Sequence, residues 1–423
     1  MEIILSVNAG SSSVKISVFK APEDKTTTTP TQLAEAVISG LTAPPASLKY
    51  TRGTHRTNSQ DLPSITSQEA AFHHILTHLT TDAALPELAR TKDIRYVCHR
   101  VVHGGNYPRS QVIDSSTLHH IEALSDLAPL HNAPALGIVK AAAEMLPQAT
   151  NVAFFDTSFH SSIPEHISTY PIDQRVAKKN GLRKYGFHGI SYEFITRAVS
   201  TYLSIPRTSL NIIALHLGSG ASATCIKSGR SHDTSMGLTP LSGLPGATRS
   251  GDIDASLPFH FTHDALRPSR SASSSLHLSR AEHILNSDSG WRSLTGTTDF
   301  GVISARGREE DELAFRLFVD RIVGFVGSYY VKLGGKVDAL VFAGGIGERG
   351  ERVRRDVVGM VGCLGFGIDE GRNMGVGGVD GVVVDVGGDA GMGRVLVVRT
   401  DEQAEMARGV VEGIGRVNEG GRK

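Results

Sequence analysis

The stretch 211–254 holds the densest group of residues that could do chemistry. Apolar residues at 212–217 and 221–226 flank Gly218, Ser219 and Gly220, which predicts two strands joined by a tight turn. Glycine has no Cβ and adopts positive φ freely, so the backbone N–H groups of such a turn can approach an anion closely. With the adjoining His216 and Leu217, the turn predicts a phosphate-binding hairpin. A purely structural turn is the alternative.

The same stretch ends in one guanidinium, Arg249, which lies among small residues and precedes Asp252 and Asp254. Arginine binds a carboxylate or a phosphoryl group through two parallel hydrogen bonds. We therefore expect Arg249 to contact an anionic substrate group. A solvated salt bridge is the alternative.

A second segment of the same type begins the chain. Residues 3–7 and 14–19 predict strands around a small-residue turn, with Asn8 before the turn and Lys15 after it on the polar side. The turn itself adds Ser11 and Ser13. Two such hairpins predict a duplicated core with a phosphate-gripping hairpin in each half.

Other polar residues fall where predicted elements begin or end. The predicted strand 93–102 carries Arg100, while His99 and His103 lack the carboxylate and the helix that a zinc protease needs. Asp156 follows the predicted strand 151–155, where ligands of open α/β sheets gather. It could hold magnesium through water or orient Arg249, and the sequence leaves both open. His188 lies between glycines at a predicted helix start, where it could donate to a phosphoryl group or only cap a turn.

Near the carboxyl end, the predicted strand 337–343 leads into Gly344, Gly345, Ile346 and Gly347. A strand, a glycine turn and a following helix would let backbone amides approach a nucleotide.

Composition excludes some classes of partner. Forty-three basic residues balance 43 acidic ones, so no overall field favours nucleic acid or an anionic membrane. We expect no leader before the first strand, and no apolar run reaches about 18 residues. Three cysteines suit reduced thiols. We expect a cytoplasmic protein.

Seven segments resemble, in order, the blocks of the acetate kinase family: MEIILSVNAGSSSVK, CHRVVHGG, LAPLHNAPAL, FDTSFHSSIP, RKYGFHGISY, HLGSGASATCIKSGRSHDTSMGLTPLSGLPGATRSGDID and FAGGIGER. The resemblance implies an α/β fold of duplicated actin-like (ribonuclease H-like) domains with an interdomain catalytic cleft. It also implies a homodimer and reversible, Mg²⁺- or Mn²⁺-dependent phosphoryl transfer between ATP and acetate, giving acetyl phosphate and ADP.

The resemblance also assigns residues to roles. Catalysis falls to Arg100, Asp156, His188 and Arg249, with His188 and Arg249 stabilising the transition state. Val102, Leu130, Phe187 and Pro240 would line an apolar pocket for the methyl end of the substrate, with Arg100 also contacting the substrate. Asp299, Phe300 and the 344–347 segment fall on the nucleotide side. Asn8 and Glu402 would lie at the magnesium ion.

We expect a first domain of 1–155 with the helix 402–423, and a second domain of 156–401 that carries a Ser-rich surface insertion at 267–280. Three residues depart from the family pattern. Ser219 and Arg349 each replace an asparagine, and Gly301 replaces an arginine. The changes at Arg349 and Gly301 fall on the nucleotide side, where family members that use pyrophosphate also differ, so they bear on the identity of the phosphoryl donor. ATP is the predicted donor and pyrophosphate is the alternative. Two further functions stay open, a propionate or butyrate kinase and an actin-like or chaperone-like nucleotide-binding protein.

Overall fold

The computed structural model describes residues 2–10, 12–24, 27–57, 59–124, 129–262, 264–269, 278–388 and 393–420, with backbone alone described at 129–131, 133 and 414–420. These residues form two compact units, Met1–Ser158 with Asp401–Lys423, and Phe159–Thr400. Among the described residues, none of the helices combines the length and the apolar character that a membrane-spanning helix needs.

The first unit is built on a sheet in the order β5-β4-β3-β2-β1-β7-β9-β8, with β6 paired to β4. Its strands are β1 (Ile3–Ala9), β2 (Ser13–Lys20), β3 (Thr31–Ser39), β4 (Ala46–Arg52), β5 (His55–Arg56), β6 (Gln60–Leu62), β7 (Ile94–Val101), β8 (Gln111–Val112) and β9 (Thr150–Phe155). Its helices before residue 158 are α1 (Gln68–Thr81), α2 (Ser115–Leu124) and α3 (Pro129–Met145). Ser67 caps α1 by accepting a hydrogen bond from the Ala70 amide, and α1 packs its apolar face on the sheet.

The second unit has the sheet order β12-β11-β10-β13-β15-β14. Its helices are α4 (Glu165–Ser168), α5 (Gln174–Asn180), α6 (Gly189–Leu203), α7 (Leu257–Phe261), α8 (Arg280–Ser287), α9 (Gly290–Thr295), α10 (Phe300–Arg306), α11 (Glu309–Lys332), α12 (Gly344–Arg349), α13 (Glu351–Met360) and α14 (Glu370–Gly375). Its strands are β10 (Ile212–Leu217), β11 (Ala221–Lys227), β12 (Arg230–Thr234), β13 (Ala339–Ala343), β14 (Val383–Asp385) and β15 (Arg394–Val398).

The two sheets repeat one topology. In each, an antiparallel hairpin, β1–β2 or β10–β11, is extended by a third antiparallel strand on one side and by two parallel strands on the other. Alternate residues of β10 point to opposite faces, so Ile213 joins the core against α11 while Ile212 and Ala214 join the core against α6. Covering helices on both faces explain why 212–217 is continuously apolar except for His216.

The last helix, α15 (Glu402–Gly420), belongs to the first unit. The Asp401 carboxylate accepts from the amides of Gln403 and Ala404, which caps the helix. Buried Gln403 donates to the Ser6 carbonyl at 2.8 Å and accepts from the Ser17 hydroxyl at 2.8 Å. These bonds hold the helix against β1 and β2.

One expected local feature is different. The 344–347 segment is not a turn before a helix, because α12 itself begins at Gly344. Gly344 has φ of 73°, and a Cβ there would lie 2.8 Å from the Leu217 carbonyl oxygen. The glycine is therefore required by its conformation and by close backbone packing against the end of β10. Of the predicted Ser-rich insertion, residues 270–277 lie outside the described residues.

Candidate active site

Arg100 and Asp156 form the centre of a polar cluster in the first unit. Parallel β7 and β9 pair Arg100 with Phe154, so Asp156, just beyond β9, comes level with the end of β7. The Arg100 Nε donates to Asp156 Oδ1 at 3.2 Å and Nη2 donates to Oδ2 at 2.6 Å, a bidentate pair. The Asp156 side chain is buried, whereas the Arg100 side chain remains 19% exposed. The pair fixes the plane of a partly accessible guanidinium.

Asn8 and Glu402 complete this cluster. Arg100 Nη1 donates to Asn8 Oδ1 at 3.2 Å, Asn8 Nδ2 donates to Glu402 at 3.4 Å, and Arg100 Nε lies 3.8 Å from Glu402 Oε2. Burial opposes the positive charge of Arg100, but the attraction of Asp156 and Glu402 outweighs it and raises the pKa of Arg100. Both residues predicted to meet magnesium thus lie beside Arg100.

Lys15, predicted to bind phosphate, pairs with Glu35 of the neighbouring strand β3 at 2.8 Å. Both side chains are about one-third exposed, so water screens the pair and leaves the lysine accessible. Ser13 ends the turn by accepting from the Gly10 amide, and Ser11 lies outside the described residues.

In the second unit, His188 occupies the position before α6 in a left-handed conformation, with φ of 59°. Such a φ is uncommon outside glycine, and it is held here by the contacts of the ring. His188 Nδ1 shares a hydrogen bond of 2.8 Å with the Ser222 hydroxyl, and the ring stacks on His216 at 4.3 Å. His216 Nδ1 in turn meets the Ser191 hydroxyl at 2.8 Å.

Tyr192 and Ser222 extend the His188 network into the core. The Tyr192 hydroxyl lies 2.5 Å from Ser222 Oγ, and burial raises the pKa of Tyr192 to about 12. Tyr192 therefore stays a neutral hydrogen-bonding group. Sequence reasoning missed both residues. Ser222 was visible only as a polar residue inside an apolar strand.

Arg249 and His188 converge over Gly220 at the turn of the β10–β11 hairpin. A Cβ added at Gly220 would overlap the Arg249 guanidinium and would lie 3.6 Å from His188 Nε2. The Arg249 loop is tied to the turn, because the Ala247 amide donates to the Ser219 carbonyl and the Gly246 amide donates to the Arg249 carbonyl. The absence of a side chain at Gly220 is what admits the guanidinium to this position.

A cavity of about 1030 Å³ lies beside this turn, within the second unit. Six of the residues predicted to bind phosphate or nucleotide line it, namely Gly218, Ser219, Asp299, Phe300, Gly345 and Ile346. The Asp299 carboxylate caps α10 by accepting from the amides of Gly301 and Val302. Trp291 and three arginines, Arg349, Arg352 and Arg355, also line the cavity and were not predicted as ligands. Gly347 is buried in α12 against Phe342.

The residues predicted to hold the methyl group are placed as follows. Val102 is half-buried in the first unit, and Phe187 and Pro240 are buried in the second unit. The side chain of Leu130 lies outside the described residues. Their common pocket stays a prediction.

Comparison with known proteins identifies the family. The sequence model of the Acetokinase family matches residues 3–408. The chain is 52% identical to a probable acetate kinase from Chaetomium globosum, with 96% of this chain and 97% of that protein covered. Among solved structures, a propionate kinase from Francisella tularensis has a TM-score of 0.83 at 31% identity, covering 97% of this chain and 99% of that one.

An acetate kinase structure from Porphyromonas gingivalis gives a TM-score of 0.80 at 30% identity, over 96% of this chain and 98% of that one. The predicted α/β fold of duplicated actin-like domains is confirmed by these structures together with the repeated sheet topology. Because the family model matches residues 3–408 and a relative 52% identical is covered over 97% of its length, this chain belongs to the acetokinase family.

Proposed function

We propose that this chain is an acetate kinase, which transfers the terminal phosphoryl group of ATP to a carboxylate oxygen of acetate and forms acetyl phosphate and ADP reversibly. The observation that carries the proposal is the convergence of Arg249 and His188 over Gly220, at a turn that lines a cavity large enough for a nucleotide. The names of the relatives support the same activity.

The reaction needs no general base in this chain. Acetate is ionised at neutral pH, so one of its oxygens can attack the terminal phosphorus of ATP directly. The attack is in line with the bond between that phosphorus and ADP, and ADP leaves with the electron pair of the broken bond. Negative charge spreads over the three equatorial oxygens during the transfer. Arg100 and Arg249 both stabilise that charge, and Arg100 also orients the acetate carboxylate. No covalent enzyme intermediate forms.

His188 contributes a directed hydrogen bond to the phosphoryl group. Its Nδ1 is occupied by Ser222, and its Nε2 is the ring nitrogen beside Gly220 and Arg249. Ser222, Tyr192 and the stacked His216 hold the ring in that direction. The hairpin residues 216–220 and Lys15 contact the phosphates, and Asp299, Phe300 and 344–347 form the nucleotide side.

The donor set around Arg100 fits a Mg²⁺ or Mn²⁺ ion. Among the described residues no cluster of three His, Cys, Asp or Glu side chains could hold a metal alone. Magnesium, however, takes oxygen ligands and is commonly held by one or two carboxylates together with water and substrate phosphates. Asn8 and Glu402 would hold the ion through their side-chain oxygens, and the Asp156 carboxylate, which lies beside them on Arg100, would reach it through water. When bound, the ion neutralises charge on the donor oxygens.

The proposal also specifies which carboxylate accepts the phosphoryl group and which compound donates it. An apolar pocket separates acetate from propionate by only about 1–3 kcal/mol for the extra methylene. A propionate kinase is therefore the second candidate, and the Francisella tularensis structure is the observation that favours it. For the donor, the nucleotide-sized cavity favours ATP over pyrophosphate. We further propose that the enzyme works in the cytoplasm as a homodimer. Light scattering after gel filtration would test the homodimer by measuring its molar mass.

A hydroxylamine trap for acyl phosphates tests the function. We expect acyl hydroxamate from acetate with ATP and Mg²⁺, a lower kcat/KM with propionate, and a slower reaction with pyrophosphate. Hydrolysis of ATP without any hydroxamate would instead indicate an actin-like or chaperone-like nucleotide-binding protein. A higher kcat/KM for propionate, or faster formation with pyrophosphate, would replace acetate or ATP in the proposal.

A further inference from the structure

The cavity in the second unit carries three arginines that differ in how their charges are compensated. Arg352 donates to Glu312 at 2.9 and 2.7 Å, donates to the Ser304 carbonyl and stacks over the Phe315 ring at 3.9 Å. Arg355 donates to Asp356 at 2.9 Å. Both guanidiniums are therefore committed to carboxylates of the protein itself.

Arg349 differs from both. It ends α12 and is exposed, and its Nε donates to the Gly345 carbonyl at 3.2 Å. Its Nη2 would lie 3.0 Å from a Cβ at Gly345, so the guanidinium rests over a glycine that itself lines the cavity. Among the residues that the structure describes, Arg349 forms no ion pair within 4.0 Å, although the neighbouring Glu348 carboxylate still attracts it electrostatically.

The carboxylates that line the cavity form no ion pair with this guanidinium. Asp299 is occupied by the amides of Gly301 and Val302, and Glu351 forms no ion pair within 4.0 Å among the described residues. The turn at Gly218 and Ser219 lines the same cavity. Arg349 therefore places a positive charge in the cavity proposed for the nucleotide. Among the described residues, this charge belongs to no ion pair.

We propose that Arg349 binds the phosphate groups of the bound nucleotide and so sets the affinity for the phosphoryl donor and for ADP. The inference rests on the proposed function and deepens it. Arginine pairs with phosphate through parallel charge-assisted hydrogen bonds, and an exposed side chain with one bond to a backbone carbonyl can reorient to make them. Arg352 and Arg355 would have to break an existing ion pair to do the same.

The test compares ADP with adenosine, which lacks phosphate, by calorimetric titration of the wild-type protein, Arg349→Ala and Arg349→Lys. We expect Arg349→Ala to weaken ADP about tenfold, the usual effect of one hydrogen bond to a charged group, and to leave adenosine within twofold. Arg349→Lys should recover most of the loss because it keeps the charge. In kinetics, the KM for ATP should rise while the KM for acetate stays unchanged.

Arg321→Ala is the matched control, since Arg321 is an exposed arginine on α11 that does not line the cavity. It should bind ADP as the wild type does. ADP affinity within twofold of wild type in Arg349→Ala would overturn the inference, and so would equal weakening of ADP and adenosine. If the proposed function is wrong, the wild-type protein will form no acyl hydroxamate. The ADP titrations will still test whether Arg349 binds the nucleotide phosphates.

Discussion

Two hairpins with the same topology carry clusters of opposite character. Around β1–β2, the charge of Arg100 is met by Asp156 and Glu402, and Asn8 bridges Arg100 to Glu402, so carboxylates outnumber the guanidinium. Around β10–β11, His188 and His216 are held by the hydroxyls of Ser222 and Ser191, beside the guanidinium of Arg249. The same scaffold thus carries a cluster rich in carboxylates in one unit and a cluster of histidines beside a guanidinium in the other.

The largest effect should come from breaking the first cluster. Arg100→Ala removes a proposed transition-state cation and should lower kcat about a thousandfold or more. It also leaves buried Asp156 uncompensated, which should reduce the free energy of unfolding by about 3 kcal/mol. Steady-state kinetics and denaturant unfolding measure the two effects. Arg100→Lys is the control, because it keeps the charge but loses the bidentate geometry, and near-normal kcat in Arg100→Ala would contradict the role.

The second cluster can be disturbed without removing any of its side chains. Gly220→Ala places a methyl group in the space of the Arg249 guanidinium, so the guanidinium must move while the core is unchanged. Misplacement of a catalytic group by about 1 Å costs about a hundredfold, and we expect a fall in kcat of that order. Gly296→Ala is a comparison variant, because a Cβ there meets no atom within 4 Å although its φ is positive. Unaltered kcat in Gly220→Ala would show that Arg249 need not stay at this position.

A smaller effect should follow from loosening the histidine. Ser222→Ala removes the partner of His188 Nδ1 and of the Tyr192 hydroxyl. We expect kcat to fall about tenfold and stability to fall by about 1–3 kcal/mol, the cost of leaving a buried polar group unsatisfied. Ser222→Thr retains the hydroxyl and should recover part of the kcat. If Ser222→Ala lowers stability but leaves kcat unchanged, the hydrogen bonds of Ser222 are structural and do not orient the His188 ring.

Each unit also contains a histidine buried in its neutral form, which gives a symmetric comparison. Burial lowers the pKa of His99 in the first unit and of His160 in the second to about 4, below the ordinary value. The unfolded chain therefore binds the proton more readily. Each neutral histidine makes its full contribution to the stability of the folded protein above about pH 6.5. That contribution is lost as the pH falls toward 4.

At pH 5.5 each histidine should cost about 1 kcal/mol of stability relative to pH 7.5. His99→Gln and His160→Gln should each flatten the fall of Tm between these pH values, whereas a change at exposed His55 should not. An unchanged slope in either variant would show that another group controls the acid sensitivity of that unit.

The course of the backbone could be predicted from the sequence more fully than the contacts between side chains. The hairpin strands and the start of α6 at His188 were predictable because burial on both faces, glycine turns and helix boundaries leave local patterns. The 344–347 segment was misread, since a glycine required by tertiary packing against Leu217 looks the same in sequence as a glycine of a turn. The pairing of Ser222 with Tyr192 has no local signal, because the two residues are 30 positions apart along the chain.

The sequence alone determined the family, the duplicated α/β fold and the set of polar residues, because ordered motifs and strand patterns are local properties of the chain. Which of those residues come into contact depends on the three-dimensional fold. It paired Asp156 with Arg100, brought Arg249 over Gly220 and set Arg349 apart from the ion-paired arginines of its cavity. Partners of a charge are chosen by the positions of strand and helix ends in space, and separation along the chain does not encode those distances.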